Sequence, residues 1–252
     1  MNNKILQAIH QGNLAEAREA LITKNVVDIA LMMEDQAEYD ILLIFRLLPK
    51  EMASEVFPHL SPESQQYIVE SVTDEEVSGI VDELYMDDTM DFIEEMPANV
   101  VKKILRNTDP ERRQLINLFL AYPEDSAGSI MTIEYVDLKK TMTVGHALSY
   151  IKQRGVDRET IDTCFVMNEE RVLEGYVTLR KLVLSDEDEL IENLMTSDAV
   201  YVNTHDDQED IAQLFKRYDY LVAPVVDNEN RLVGIVTVDD ILDVIEEENT
   251  ED

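Results

Sequence analysis

The stretch GYVTLRKLV at 175–183 returns as GIVTVDDIL at 234–242. The likeness extends further out. VMNEERVLEGYV at 166–177 matches VVDNENRLVGIV at 225–236, and IMTIEYVDL at 130–138 matches LMTSDAVYV at 194–202. The period is about 60 residues. Such a duplication restricts the fold strongly, because one supersecondary unit must be built twice and the copies must bury each other's apolar faces. TCFVM (163–167), LEGYVTL (173–179), YLVAPVVD (220–227) and LVGIVTV (232–238) are short and β-branched, and read as strands. TVGHALSYIKQ and DQEDIAQLFKRY before them, and RKLVLS and DDILDVIEEE after them, carry helical patterns. The predicted order is β–α–β–β–α, twice.

Residues 1–125 read differently, as helix throughout. LLPKEMASEVF, LSPESQQYIV, VTDEEVSGIV, LYMDDTMDFI, MPANVVKKIL and NTDPERRQLI follow one another at intervals of about 10 to 13 residues. Each opens on a turn or cap residue: Pro49, Ser61, Thr73, Asp87, Pro97 and Thr108. Two such units make one helical hairpin, so the segment predicts a short superhelical solenoid. YPEDSAGSIM (122–131) breaks the pattern with Pro123 and Gly128, which marks a domain boundary. The expected division is 1–125, 126–193 and 194–252.

Charge narrows the function. The chain carries 54 acids against 21 Lys plus Arg, a net charge of −33. Nucleic acid is excluded as a partner, because its binding needs cationic contacts to phosphate. Cations or basic proteins are favoured instead. A single cysteine, Cys164, allows neither an internal disulfide nor a Cys-based metal site, and fits a reducing compartment. The four histidines are scattered, unlike metal ligands. A phosphate loop, GxSxG and HExxH are all missing, so no enzyme is expected. There is no long apolar run and no signal core at the N-terminus.

The glycine, two apolar residues, Thr, two residues, Asp pattern of GIVTVDDIL resembles the CBS-domain signature. GYVTLRKLV fits less well, with Lys181 where the acid is expected. Acidic helical repeats, then YPEDSAGSIM, then a CBS pair, then TVDDILDVIEEENTED together resemble the intracellular portion of MgtE-type magnesium channels. The resemblance implies an α plus α/β architecture: a superhelical N-domain, then a tandem CBS pair that forms a homodimer. It also implies a transmembrane pore beyond Asp252, a place on the cytoplasmic face of the cell membrane, and a role in sensing Mg²⁺ and closing that pore.

Mg²⁺ takes oxygen ligands and keeps much of its water, so one or two carboxylates suffice for a weak site. In the terminal segment, Asp240, Asp243, Glu247 and Glu251 share one helical face, flanked by Glu248 and Asp252, while Ile241, Leu242 and Ile245 are free to pack. Asp219, where a helix runs into a strand, is a further candidate, and Glu209 another, with Asp207 beside it as either ligand or cap. If the family's gating logic holds, Glu55, Asp87 and Asp91 supply the opposing surface. Each of these also reads as a solvated acid or helix cap. CBS pairs hold adenosine ligands such as ATP or AMP. The positions implied here are Thr237 and Asp240 in the second repeat, with Thr178 and Arg180 in the first. Two other readings stay open: a nucleotide-sensing CBS module for another partner, and an acidic scaffold that docks a basic protein.

Overall fold

The computed structural model describes the chain from Asn2 to Glu251, and its side chains from Ile5 to Glu246. The chain divides into two compact units. One is Met1–Leu84 with Asp88–Asn117; the other is Tyr85–Asp87 with Leu118–Asp252.

The first unit is helical: α1 (Asn2–His10), α2 (Leu14–Leu21), α3 (Val26–Glu34), α4 (Glu38–Leu47), α5 (Lys50–Val56), α6 (Pro62–Ser71), α7 (Asp74–Glu83), most of α8 (Met86–Glu94), α9 (Ala98–Asn107) and the start of α10 (Pro110–Phe119). Helices two apart in sequence pack together along much of the unit. Thus α3 packs on α5, α5 on α7 and α7 on α9, with α4 on α6 alongside. This is the two-helix repeat expected from the punctuation. Several stops and starts act as the sequence implies. Ser61 caps α6, and Thr73 with Glu76 forms a reciprocal capping box on α7. Two differ. Helix α8 begins at Met86, so Asp87 lies inside its first turn. Thr108 closes α9, its hydroxyl donating to the Ile104 carbonyl at 2.8 Å, while the Asp109 side chain accepts from the Glu111 N–H at the start of α10. A Thr-Asp-Pro run offers two adjacent cap residues, and Pro110 at the first helical position selects the second of them.

Phe45, Phe57 and Phe92 form an edge-to-face chain at 6.1 and 4.9 Å through the core of this unit. Some of its cations serve helix C-termini, where orphan carbonyls need donors. Lys103 Nζ donates to the carbonyls of Val69 and Val72 at 2.6 and 3.2 Å, Arg112 to Leu84 and Arg113 to Leu105.

The second unit holds α11 (Ala127–Ile130), then β1 (Asp137–Leu138), α12 (Val144–Arg154), β2 (Thr163–Met167), β3 (Leu173–Thr178) and α13 (Leu179–Val183). After α14 (Ile191–Leu194) the same order returns as β4 (Val202–Asn203), α15 (Gln208–Tyr218), β5 (Val222–Val226), β6 (Leu232–Thr237) and α16 (Val238–Glu251). Each repeat makes a three-stranded sheet, with its first pair parallel and its second antiparallel. The copies agree down to their turns. Asn168 and Asp227 each accept two backbone N–H bonds, and Arg171 and Asn230 each stand at positive φ. The two hairpin turns then bond to each other, Leu173 N–H to the Asn230 carbonyl and Leu232 N–H to the Arg171 carbonyl. Tyr135, Phe165, Met167, Leu232 and Ile235 bury a shared core.

The units part after Asn117, ahead of the break read at 122–131. That break is itself built into the second unit. The Gln208 N–H donates to the Asp125 carbonyl, and the Gly128 N–H to the Thr204 carbonyl.

Candidate ligand and cation sites at the strand ends

Thr237, the last residue of β6, lies opposite Val222, and the Val238 N–H donates to the Leu221 carbonyl at 3.0 Å. This register brings Asp219 and Tyr220, just before β5, to the same end of the sheet as the start of α16. Asp219 ends α15 in the left-handed region, at φ 52°, and its carboxylate is exposed. Aspartate tolerates that conformation better than bulkier residues do. Asp243 is exposed one turn along α16.

Asp240 is already engaged. The buried Thr237 hydroxyl donates to its Oδ2 at 2.6 Å, and the Thr237 N–H donates to the same oxygen at 3.2 Å. A Thr followed three residues later by an acid is a capping pattern, so the sequence carried this signal too. Replacing Asp240 by Ala should therefore cost about 1 kcal/mol through loss of the cap. Glu246→Gln, exposed further along the same helix, should stay within about 0.5 kcal/mol. Urea unfolding of the two variants checks the contrast; equal effects would show that Asp240 has no capping role.

The first repeat has the same geometry with different chemistry. Thr163 pairs with Thr178, the Leu179 N–H donates to the Asp162 carbonyl, and the Thr178 hydroxyl accepts from the Lys181 N–H at 3.3 Å. Arg180 and Lys181 are both exposed, and neither makes an ion pair among the described residues. In a chain of net charge −33 such cations are conspicuous. Aromatic rings gather around Tyr220. Tyr218 and Tyr220 stack at 5.5 Å, and Phe215 meets Tyr220 edge-on at 6.3 Å. Burial pushes the Tyr220 phenol above the usual tyrosine range, and Tyr176, Tyr218 and Asp198 add to the shift. Tyr176 stands two residues before Thr178 on β3. The sequence reading missed these tyrosines, although the YDY run around Asp219 is a visible aromatic doublet.

The other expected ligands are more dispersed. Glu209 is exposed in the first turn of α15, where Asp207 is the cap, accepting from the Glu209 N–H at 2.9 Å. Glu55 and Asp91 are exposed on α5 and α8. Asp87 is buried, not solvent-facing, at 5% exposure. It belongs to the second unit, where burial, then Glu159, Glu134, Asp87 and Asp157, raise the pKa of Tyr85. The side chains of Glu247, Glu248, Glu251 and Asp252 lie outside the described residues. On α16, Ile241 and Val244 pack inward, whereas Leu242 and Ile245 do not join the core as expected and are 56% and 37% exposed. The i, i+3 spacing of Ile241 and Val244 defines the buried stripe, and Leu242 and Ile245 lie off it. Among the described residues, no three His, Cys, Asp or Glu side chains converge on a ready-made metal site. None of the described helices is long and apolar enough to cross a membrane.

Residues 24–125 match the family described as the MgtE intracellular N domain, and residues 191–247 match the CBS domain family. The magnesium transporter MgtE of Thermus thermophilus is 37% identical over 250 residues, covering 98% of this chain and 55% of that protein. The chain thus spans about half the length of that relative. Two solved structures are similar over nearly the whole chain. One is the cytosolic domain of the Mg²⁺ channel MgtE in complex with ATP, at TM-score 0.90 and 35% identity, covering 97% of this chain and 100% of that one. The other is the soluble part of a magnesium transporter, at TM-score 0.93 and 28% identity, covering 98% and 97%.

Proposed function

The chain belongs to the MgtE family of magnesium transporters, and we propose that it is the Mg²⁺-sensing region that gates a pore carried elsewhere in the whole protein, at the cytoplasmic face of the cell membrane. The observation that carries this reading is the end-to-end likeness to the cytosolic domain of a Mg²⁺ channel, on a chain of net charge −33. In this reading residues 1–125 sense through Glu55, Asp87 and Asp91, and the repeats at 126–193 and 194–252 through Glu209, Asp219, Asp240, Asp243, Glu248, Glu251 and Asp252. Exposed Asp219 and Asp243, at one end of a sheet, suit a hydrated Mg²⁺ held by few carboxylates. Asp240 ranks below them because its carboxylate caps α16.

Acidic surfaces repel when bare and are bridged by divalent cations. Mg²⁺ that binds only the compact form shifts the population toward it by its differential affinity, summed over sites. The compact form closes the pore. The CBS pair forms a homodimer, and exposed Val183, Leu184 and Leu242 supply apolar surface for it.

Titrating the chain with Mg²⁺ tests the reading, followed by small-angle scattering and limited proteolysis at constant ionic strength. Mg²⁺ should shrink the radius of gyration and slow cleavage, and the combined Asp219→Asn, Asp243→Asn variant should need several-fold more Mg²⁺. Sodium salt reproducing the same change would sink the idea.

A second reading is supported by its own observations. The unpaired Arg180 and Lys181 beside Thr178 suit the phosphates of an adenosine polyphosphate. Calorimetry with ATP and AMP against Arg180→Ala separates a nucleotide co-regulator from a purely cation-driven switch.

A further inference from the structure

The helical unit contains an open groove of about 560 Å³ between the α4–α5 corner and α7. Its volume lies in the range of cavities that accept ligands or clustered side chains. Phe45, Leu48, Ala53 and Ile80 contribute its apolar lining, and Gly79 lies among them in the middle of α7. A glycine there weakens a helix relative to alanine. Packing does not explain it. A Cβ at Gly79 would meet only Lys50 Cε, at 3.5 Å, an ordinary contact. Its backbone is also not in the left-handed region that favours glycine. What the missing side chain preserves is the open space.

The rim is acidic in net effect. Arg46 already pairs with Glu76 at 3.6 Å, and Lys50 with Glu83. Glu75 on the rim has no cationic partner among the described residues and is exposed. Asp82 and Glu51 lie within electrostatic reach of Lys50. An apolar floor under an acidic rim complements one kind of occupant: a helix with an apolar stripe flanked by positive charge. We propose that this groove docks a basic amphipathic helix of a protein partner, and that Gly79 keeps it open.

The test uses the whole chain and a fluorescein-labelled peptide of about 18 residues, leucine on one helical face and lysine on the other, followed by anisotropy in about 0.15 M salt. A peptide of the same composition with scrambled order is the control, because a polyanion attracts any polycation. The ordered peptide should bind saturably at one to one, at least tenfold tighter than the scrambled one. Gly79→Leu should weaken it at least tenfold, and Glu75→Lys several-fold; the second variant leaves the groove floor untouched and so serves if the first does not fold. Gly79→Ala should raise the melting temperature by about 2–4 °C. The proposal is overturned by equal binding of the two peptides, by unchanged binding to a folded Gly79→Leu chain, by a lowered melting temperature in Gly79→Ala, or by dodecanoate binding the groove in place of the peptide.

Discussion

Gly175→Ala is expected to destabilise the second unit by about 3 kcal/mol, lowering its calorimetric transition by about 6–12 °C. A Cβ at this position would stand 2.3 Å from the Thr196 carbonyl oxygen and 3.2 Å from Ser197 Cα. Those are backbone atoms, not the end of a flexible side chain. They are held in place by a reciprocal pair of hydrogen bonds, the Tyr176 N–H to the Thr196 carbonyl at 3.0 Å and the Thr196 N–H back to the Tyr176 carbonyl at 2.8 Å. Relieving the clash means opening that pair, which joins β3 to the segment leading into the second repeat. The matching residue of the other copy supplies an internal control. At Gly234 the nearest backbone atom is the Thr132 carbonyl oxygen at 2.8 Å, a milder approach than 2.3 Å, beside Met131 Sδ at 2.6 Å. Gly234→Ala should therefore cost less. A Gly175→Ala chain melting within about 1 °C of the parent would refute the account.

Cys164 should be nearly inert while the chain is folded. Its thiol is fully buried in β2 among Leu138, Val144 and Ala147, with Sγ 3.6 Å from the Ile161 carbonyl. Burial, with Asp162 adding, pushes it up from 9.0 to about 12. Since the thiolate is the reactive form, ionisation alone should slow reaction with a disulfide reagent at pH 8 by about 1000-fold relative to the urea-unfolded chain. The linkage has a definite sign. The fold favours the neutral thiol, so this contribution to stability is complete below pH 9.0 and is lost as pH rises toward about 12. Labelling in the native state at a rate near that of the unfolded chain would mean that the β2 core opens readily.

Much of the architecture was legible in residue order. The duplication appears twice over in GYVTLRKLV and GIVTVDDIL, and strand pairing is a local consequence of β-branched runs separated by Asx turns at Asn168 and Asp227. The helical repeat was legible because Ser61 and Thr73 announce helix starts at regular spacing. The site was less so. The Thr237–Asp240 spacing marks a cap in the sequence, but nothing in the letters says whether that carboxylate is taken up by the cap or open to a ligand. The coordinates show Asp240 accepting from Thr237, and Asp219 and Asp243 exposed. Asp87 looked like a surface acid in an acidic run, yet it is buried in the first turn of α8, which starts at Met86.

The sequence by itself determined the two fold classes, the doubling of the β–α–β–β–α unit and the excess of carboxylate. Those properties are periodic or additive, so they survive without knowing which residues touch. Tertiary structure alone decided which carboxylates are exposed and which one is a cap, that Tyr176 and Tyr220 from the two repeats come within electrostatic reach of each other, and that Gly79 lines an open groove. Those properties depend on registers between strands and on neighbours two helices apart, distances along the chain over which local pattern carries no information.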